Sequence, residues 1–397
     1  MGEYPQPEVE RAMKVQEVIL RAMSGELQWY EAAEIIGVSV RTMRRWRWHY
    51  EHYGYDGLFD RRKRRPSPRR VPLESAQRIL RLYREQYRGY NVAHFHDKLR
   101  EEHQVTLSYE WVKKALQGAG LVKKGRKHKV HRRRRERRPL RGMMVFCDGS
   151  THRWMPALKG QQQDLIAFLD DATSEVYDAY LVNEEGTLSV MEGLRRVFRK
   201  KGLFCSFYTD RGSHFFRTSK ANGPVDRNRL SQIGRAMQQL GIEHIPSYSP
   251  EARGRIERMF RTWQGRLPLE LDAEGITTIE EANRYIRSRF MRWHNRKLKV
   301  RPAQTGSAFL PLGEVDLDAV LCIQHERIVQ ADNTVSVHSI RLQIPPSKLR
   351  ISFAKCRVRV CEHINGTLSV RFGPHRLARY RADGTQIVQR PKVRKAA

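Results

Sequence analysis

The sequence predicts a multidomain chain: N-terminal α-helical helix-turn-helix units, a central α/β domain, and a small β-barrel at the C-terminal end. Three observations carry this. Apolar residues recur at helical spacing through residues 9–122. Between 142 and 300, short apolar runs alternate with helical stripes. From about 317 onward, apolar and polar residues alternate, and Asn365-Gly366 marks a tight hairpin turn.

Charge narrows what such a chain handles. Its 397 residues carry a formal charge of +32, an excess that attracts polyanions. Nucleic acid is the first candidate and an anionic membrane surface the second. No uninterrupted apolar stretch reaches the roughly 18 residues of a spanning helix, so no membrane partner is expected. The start, Met1-Gly2-Glu3-Tyr4-Pro5-Gln6, reads as neither a signal peptide nor a myristoylation site. Five cysteines (147, 205, 322, 356 and 361) without metal-finger spacing point to a reduced, cytosolic protein.

In chain order, residues 9–24 read as a helix with Val15, Val18, Ile19 and Ala22 on one face. A second helix, 29–36, turns Ala32, Ala33 and Ile36 inward. Gly37-Val38 supplies a turn. Ser39 caps a third helix, where Val40 and Met43 face inward and Arg41, Arg44, Arg45 and Arg47 outward. Glycine turn, cap and arginine helix together make a helix-turn-helix, set at 1–60, whose last helix would enter a DNA major groove. The plainer alternative is a helical bundle with a solvated basic face.

A basic linker, 61–72, carries Arg62, Arg64 and Arg65 beside two prolines and could follow a phosphate backbone or minor groove. Residues 73–122 form a second helix-turn-helix-like domain, with stripes Ala76, Ile79, Leu80, Tyr83 and Val92, Phe95, Leu99. Ser108 caps its last helix, in which Lys113 and Lys114 lie between Val112 and Ala115. A further basic linker, 123–141, holds Arg132, Arg133, Arg134 and Arg135. Its self-repelling charge should stay extended without a partner, and contact with phosphates would release counterions.

The α/β domain is set at 142–300. Asp148 closes the apolar run 143–147, and Asp210 closes a second run, 203–209. Between them come strands at 165–169 and 176–181 and a helix at 188–200. A helix near 230–240, a strand at 242–245 and a helix with Ile256, Met259, Phe260 and Trp263 inward follow Asp210, and a last helix spans 279–297. Asp170, Asp171 and Asp178 are expected to be turn or surface residues. Glu257 stands at the edge of the buried stripe, where an acid would be poorly solvated and could lean toward the two strand ends. Arg253 and Arg261 could be its ordinary helix partners. Glu243 lies within a strand and Glu251 follows Pro250 at a first-turn position, which gives each a structural reason to be acidic. Carboxylates so arranged suit Mg²⁺, and paired ions can clamp the attacking and leaving oxygens of an in-line phosphoryl transfer. In the barrel region, 317–385, Val335, Val337, Val358, Val360, Leu368 and Val370 are the alternating apolar residues.

Asp148, then Thr209-Asp210-Arg211-Gly212, then Gly254-Arg255-Ile256-Glu257-Arg258 resemble the DDE signature of insertion-sequence transposases with a retroviral-integrase-like core. The resemblance covers roughly residues 10–310. It implies a ribonuclease-H-like catalytic core in which Asp148, Asp210 and Glu257 are catalytic and hold two Mg²⁺ ions, with Mn²⁺ as substitute. It also implies a transposase that binds the ends of its mobile element, hydrolyses DNA there, and lets the freed 3′-hydroxyl attack target DNA. The implied partners are double-stranded DNA, as transposon ends and target, and further copies of the chain in a synaptic multimer. The implied setting is the bacterial cytosol, at the nucleoid. The interval from Asp210 to Glu257, 257 − 210 = 47, is longer than in close relatives of retroviral integrase; the surplus is expected in a surface loop at 217–224. Two other readings share part of the pattern. A catalytically inactive DNA-binding regulator would not need all three acids, and a structure-selective nuclease would not need two upstream readers.

Overall fold

The structure, a computed structural model, describes residues 5–60, 70–125, 135–218, 223–248 and 253–388. Two compact units emerge, Met1–Gln86 and Tyr87–Ala397.

In the first unit, α1 (Gln6–Met23), α2 (Trp29–Ile36) and α3 (Val40–Tyr53) enclose a small core of Val15, Val18, Ile19, Ala22, Ala32, Ala33 and Met43. The local signals act as read from the sequence. Gly37 ends α2 with φ at 75°, a left-handed conformation that costs a glycine little. Ser39 Oγ then accepts the Thr42 N–H at 3.2 Å, satisfying an otherwise orphaned donor of α3. A 3₁₀ turn, Gly54–Leu58, closes the motif, and α4 (Leu73–Glu85) completes the unit.

The second unit begins with α5 (Val92–Glu101) and α6 (Tyr109–Gly118), each started by a side-chain cap, Asn91 and Ser108. This helix pair is fastened to the helices that cover the central sheet. Asp97 on α5 accepts from Arg266 at 2.7 Å and from Lys297 at 3.0 Å, and Asn91 donates to the Gly265 carbonyl at 3.0 Å.

The centre of the unit is a five-stranded sheet of β1 (Met144–His152), β2 (Gln163–Asp170), β3 (Val176–Val182), β4 (Ser206–Thr209) and β5 (Glu243–Pro246), ordered β3-β2-β1-β4-β5. The first three are antiparallel neighbours, while β4 runs parallel to both β1 and β5. Strand alternation divides the side chains between two cores. Val145, Cys147, Ile166, Phe168 and Phe207 face α7 (Thr187–Lys201) and α8 (Gln232–Gln239). Met144, Phe146, Leu165, Ala167 and Leu169 face the opposite layer of α9 (Gly254–Gln264), α10 (Leu267–Ala273), α11 (Ile279–Tyr285) and α12 (Met291–Lys297). A π-helical turn, Ile286–Phe290, joins α11 to α12, so the single helix expected at 279–297 runs unbroken but not uniform. Its asparagines cover the edge strand. Asn283 exchanges two hydrogen bonds with the Leu181 backbone, and Asn295 two with that of Val176.

Asp171 lies in the turn after β2, as expected, but Asp170 and Asp178 fall within β2 and β3 and not at turns or on the surface, and all three are buried. Each is retained inside because hydrogen bonds satisfy it. Asp170 accepts from Gly142 N and from both donors of Thr173, and Asp178 accepts from Arg196 at 2.7 Å. Asp171 accepts from Arg135, Arg255 and the Arg138 N–H.

The C-terminal segment begins with α13 (Leu317–Val320) and holds β6 (Cys322–Ile328), β7 (Thr334–Val337), β8 (Ile340–Gln343), β9 (Arg357–His363), β10 (Leu368–Phe372) and β11 (His375–Tyr380). Its alternating residues Val335, Val337, Val358, Val360, Leu368 and Val370 are all buried, and Gly366 turns β9 into β10 with φ at 75°. The expected closed barrel is absent among the described residues. Instead, a four-stranded sheet, β11-β10-β9-β6, carries a separate two-stranded hairpin, β7-β8, on one face. The hairpin strands are four residues each and pair with each other, so no ladder joins them to β6 or β11. The other face docks on α8. Gln232 exchanges two hydrogen bonds with the Gln324 backbone, and Arg235 donates to the carbonyls of Val320 and Cys322.

Candidate active site

Register brings the two aspartates together. Met144, Val145 and Phe146 pair in parallel with Ser206, Phe207 and Tyr208. Two residues beyond the last pair, where the parallel β1–β4 ladder stops, stand Asp148 and Asp210. Asp210 lies just past the end of β4, but Asp148 is in mid-strand, because β1 continues to His152 along β2 and does not end at the acid as the apolar run suggested. By alternation both share the face of Met144 and Phe146, which is the face covered by α9. Carboxyl ends of neighbouring parallel strands are where open α/β sheets place ligands.

Asp148 is only 6% exposed, whereas the side chain of Asp210 is 41% exposed and accepts the Gly212 N–H at 2.9 Å. Burial pushes the Asp148 carboxyl up to about 7; Arg253 opposes the rise, and the negative charges of Asp210, Glu185 and Glu257 add to it. Four carboxylates therefore share one field. Arg253, at the start of α9, reaches into it, with Nη1 3.3 Å from Asp148 Oδ1 and 3.5 Å from Asp210 Oδ2. The sequence suggested Arg253 as a helix partner of Glu257; it spans the two aspartates instead.

Glu257 lies in the first turn of α9, and it is exposed, contrary to the poorly solvated border position expected for it. The reason is the helix stripe. Ile256, Met259, Phe260 and Trp263 take the inward face, which leaves the neighbouring position on the flank. Its charge still reaches Asp148. Glu243 is exposed at the start of β5, and Glu251 lies outside the described residues.

Glu185 was not singled out by sequence reasoning. It precedes α7, and its carboxylate lies directly over Gly149: a Cβ there would stand 1.9 Å from Glu185 Oε2. Only a glycine next to Asp148 lets this acid approach. His214 faces it, with Nε2 3.3 Å from Glu185 Oε1, and packs on Phe215. The available signal was the pairing of Asp148 with a following glycine and an acid just ahead of a helix. His152 and Trp154 contact each other edge to face, and Trp154 is buried, donating to the Ser150 carbonyl at 2.7 Å.

The basic residues divide. Arg41, Arg44 and Arg45 are exposed on α3. Arg47, also exposed, binds Glu51 at 2.7 Å and lies over the Trp29 ring. Lys114 is exposed, and Lys113 is half-buried 3.4 Å from Glu110. Arg135 gives its guanidinium to buried Asp171. Arg62, Arg64, Arg65, Arg132, Arg133 and Arg134 lie outside the described residues.

The donor set fits divalent cations. The charges of Asp210, Glu185 and Glu257 all act on Asp148, burial raises its carboxyl to about 7, and the Arg253 guanidinium supplies a compensating positive charge beside Asp148 and Asp210.

The chain is similar to several known proteins. A family model described as a helix-turn-helix domain matches residues 16–67. A putative transposase of Sinorhizobium fredii, y4bF, is 30% identical over 370 residues, spanning 93% of this chain and 80% of that protein. The transposase for insertion sequence IS1202 of Streptococcus pneumoniae is 26% identical over 306 residues, spanning 68% of this chain and 65% of that protein, slightly less than two thirds. Among solved structures, the HTLV-2 integrase catalytic core domain in complex with magnesium matches at 16% identity and a TM-score of 0.30, over 42% of this chain and 94% of that one. The simian T-cell lymphotropic virus intasome in complex with PP2A regulatory subunit B56 gamma matches at 12% identity and a TM-score of 0.33, over 79% of this chain and all of that one, 100%. With y4bF 30% identical over 93% of this chain and 80% of its own length, and a helix-turn-helix domain ahead of the α/β core, the chain belongs to the transposases and is a DNA transposase.

Proposed function

We propose that this transposase is of the DDE type: it cleaves DNA at the ends of its element and joins the freed 3′-hydroxyl ends to target DNA. The single observation that carries the reading is the state of Asp148, buried among Asp210, Glu257 and Glu185 with Arg253 as a provisional counter-charge. Such a cluster of acids is costly to hold without cations. Asp148, Asp210 and Glu257 would hold two Mg²⁺ ions, or Mn²⁺ in their place. Bound there, divalent ions supply Lewis-acid stabilisation of the attacking and leaving oxygens.

The protein's own groups do the rest. The parallel register fixes the two aspartates, and α9 sets Glu257 one helical turn beyond Arg253. Arg253, which pairs with both aspartates, would be free to pair with a DNA phosphate if cations took over that charge. His214 Nε2 stands 3.3 Å from Glu185 Oε1, close enough to pair with that carboxylate when the imidazole is protonated. Arg41, Arg44, Arg45 and Arg47, with the basic linkers containing Arg62, Arg64, Arg65 and Arg132 to Arg135, would bind the duplex, together with Lys113 and Lys114. The domain limits set from the sequence, 1–60, 73–122, 142–300 and 317–385, are proposed as its working modules. A synaptic homo-multimer acting in the bacterial cytosol completes the proposal.

The test is a labelled element end incubated with protein, unlabelled target duplex and Mg²⁺. Joined products that disappear with Asp148→Asn, Asp210→Asn and Glu257→Gln support the reading. Binding without any cleavage would leave a DNA-binding regulator. Cleavage without joining, on unrelated branched DNA, would leave a nuclease.

A further inference from the structure

A second constellation of metal-binding side chains lies far along the chain from the acidic cluster, in the C-terminal sheet and its hairpin. Strand β6 contributes His325, β9 contributes Glu362, and the turn between β7 and β8 contributes His338. In the β6–β9 ladder Ile323 pairs with Glu362 and His325 with Val360, so His325 and Glu362 are diagonal neighbours on one face. That face carries Val358 and Val360 and is covered by Val335, Val337 and Leu342 of the hairpin. At its rim the two imidazoles converge on one oxygen: His325 Nε2 and His338 Nε2 each lie 2.6 Å from Glu362 Oε1. The rings stand 5.4 Å apart and nearly perpendicular, at 85°. The three ligand atoms lie within 4.8 Å of one another.

We propose that His325, His338 and Glu362 form a structural site for a transition-metal ion of the Zn²⁺ class. Two imidazole nitrogens and a carboxylate are a donor set that Zn²⁺ accepts, at roughly 2.0–2.2 Å per ligand and ~3.3 Å between ligands in a tetrahedron. The atoms on Glu362 and each histidine need to part by well under 1 Å to meet that spacing. Mg²⁺ prefers oxygen ligands in an octahedron, so this site and the acidic cluster sort different ions. The fourth position faces solvent, because the His338 side chain is 68% exposed while His325 and Glu362 are mostly covered, at 22% and 19%.

The site's place in the fold says what it does. The β7–β8 hairpin is not laddered to the four-stranded sheet, and beyond apolar packing its tip is held there by His338 and by Arg327 of β6, which donates to the Ser336 carbonyl at 3.2 Å. His338 itself has φ at 45°, a left-handed conformation rarely taken by residues other than glycine. A bound ion would clasp that tip to β6 and β9, supplying the closure that backbone pairing does not. Without an ion, the same three groups can persist as two imidazole N–H donors on one carboxylate, and the experiment separates these states.

Full-length protein is stripped with chelator, returned to millimolar Mg²⁺ to occupy the acidic cluster, and titrated with Zn²⁺ against a chromophoric indicator. The expected result is one Zn²⁺ per chain at micromolar affinity or tighter, and a Co²⁺ absorption band in the visible from the same stoichiometry. His338→Ala changes an exposed turn residue, and Glu362→Gln keeps the side-chain shape. Each should weaken Zn²⁺ binding at least tenfold and abolish the Co²⁺ band. Zn²⁺ should also slow amide exchange of residues 335–340 at least tenfold in the parent and not in His338→Ala. Lack of binding at 10 µM Zn²⁺ (roughly the weakest affinity such a three-ligand site should have), or binding that His338→Ala leaves within twofold, overturns the proposal. Unchanged exchange at the hairpin overturns the clasp.

Discussion

Replacing Asp148 by asparagine should stabilise the metal-free protein at alkaline pH while destroying its activity. The folded-state carboxyl titrates near 7 against an ordinary 3.8, so the folded state binds this proton more tightly than the unfolded chain does. Stability then falls as pH rises, beginning near 3.8 and complete above about 7, because only the unfolded state releases the proton early. The displacement of about 3 units, at 1.36 kcal/mol each, is worth about 4 kcal/mol. Asparagine does not titrate and escapes this loss, but it gives up attraction to Arg253, so a net gain of about 2 kcal/mol at pH 8 is expected. At pH 4 the gain should vanish. Urea unfolding followed by tryptophan fluorescence reads it, since Trp154 and Trp263 are both fully buried in the core beneath the site. Mg²⁺ at ten times its dissociation constant should then stabilise the parent by about 1.4 kcal/mol at pH 8 and the variant by much less. An Asp148→Asn protein that is less stable than the parent at pH 8, or whose difference from it does not change with pH, would refute the view of Asp148 as a strained acid awaiting a cation.

Neighbouring residues give further outcomes. Glu257→Gln should bind element ends as the parent does yet lose Mg²⁺-dependent cleavage by several orders of magnitude, and Glu251→Gln should keep most of it; the reverse would move the third ligand. Arg253→Ala removes the counter-charge between the aspartates, so metal-free stability at pH 8 should drop while Mg²⁺ affinity, read by calorimetry, rises; weaker Mg²⁺ binding would contradict its role as stand-in. Alanine at Arg41, Arg44 or Arg45 should weaken end binding in filter assays and shallow its salt dependence by roughly one unit of slope for each phosphate left unneutralised, and an unchanged slope would remove that residue from the interface. Burial alone would raise Glu270, but hydrogen bonds from His94 and Tyr285 and the charge of Arg266 hold it near 2. That lowered value contributes about 3 kcal/mol above pH 4.5, lost as pH falls toward 2. Glu270→Gln should accordingly lower the urea midpoint at pH 7 and much less at pH 3.

Much of this molecule is written locally. A glycine that must turn left-handed at Gly37 and a serine that must cap at Ser39 are chain-neighbour chemistry, and both act as read. The helix stripe of α9 and the alternation of Val358, Val360, Leu368 and Val370 depend only on the periods of helix and strand, and all those residues are buried. Asp148 and Asp210 were legible because each closes an apolar run, although only Asp210 proves to stand at a strand end, β1 continuing past Asp148 to His152. What the sequence did not hold is which partner each polar group would find across the fold. Asp171 looks like any turn acid until Arg135 and Arg255 close over it from positions 36 and 84 residues away. Arg253 looks like a helix partner of Glu257 until the parallel register of β1 and β4 sets two aspartates nearer. Glu185 comes close to Asp148 over Gly149, where no side chain stands in its way, and the barrel stays open because the two four-residue hairpin strands pair with each other and not with β6 or β11. Helix and strand periods are properties of a few consecutive residues, whereas charge pairing, close approach and sheet closure depend on distances that only the assembled chain defines.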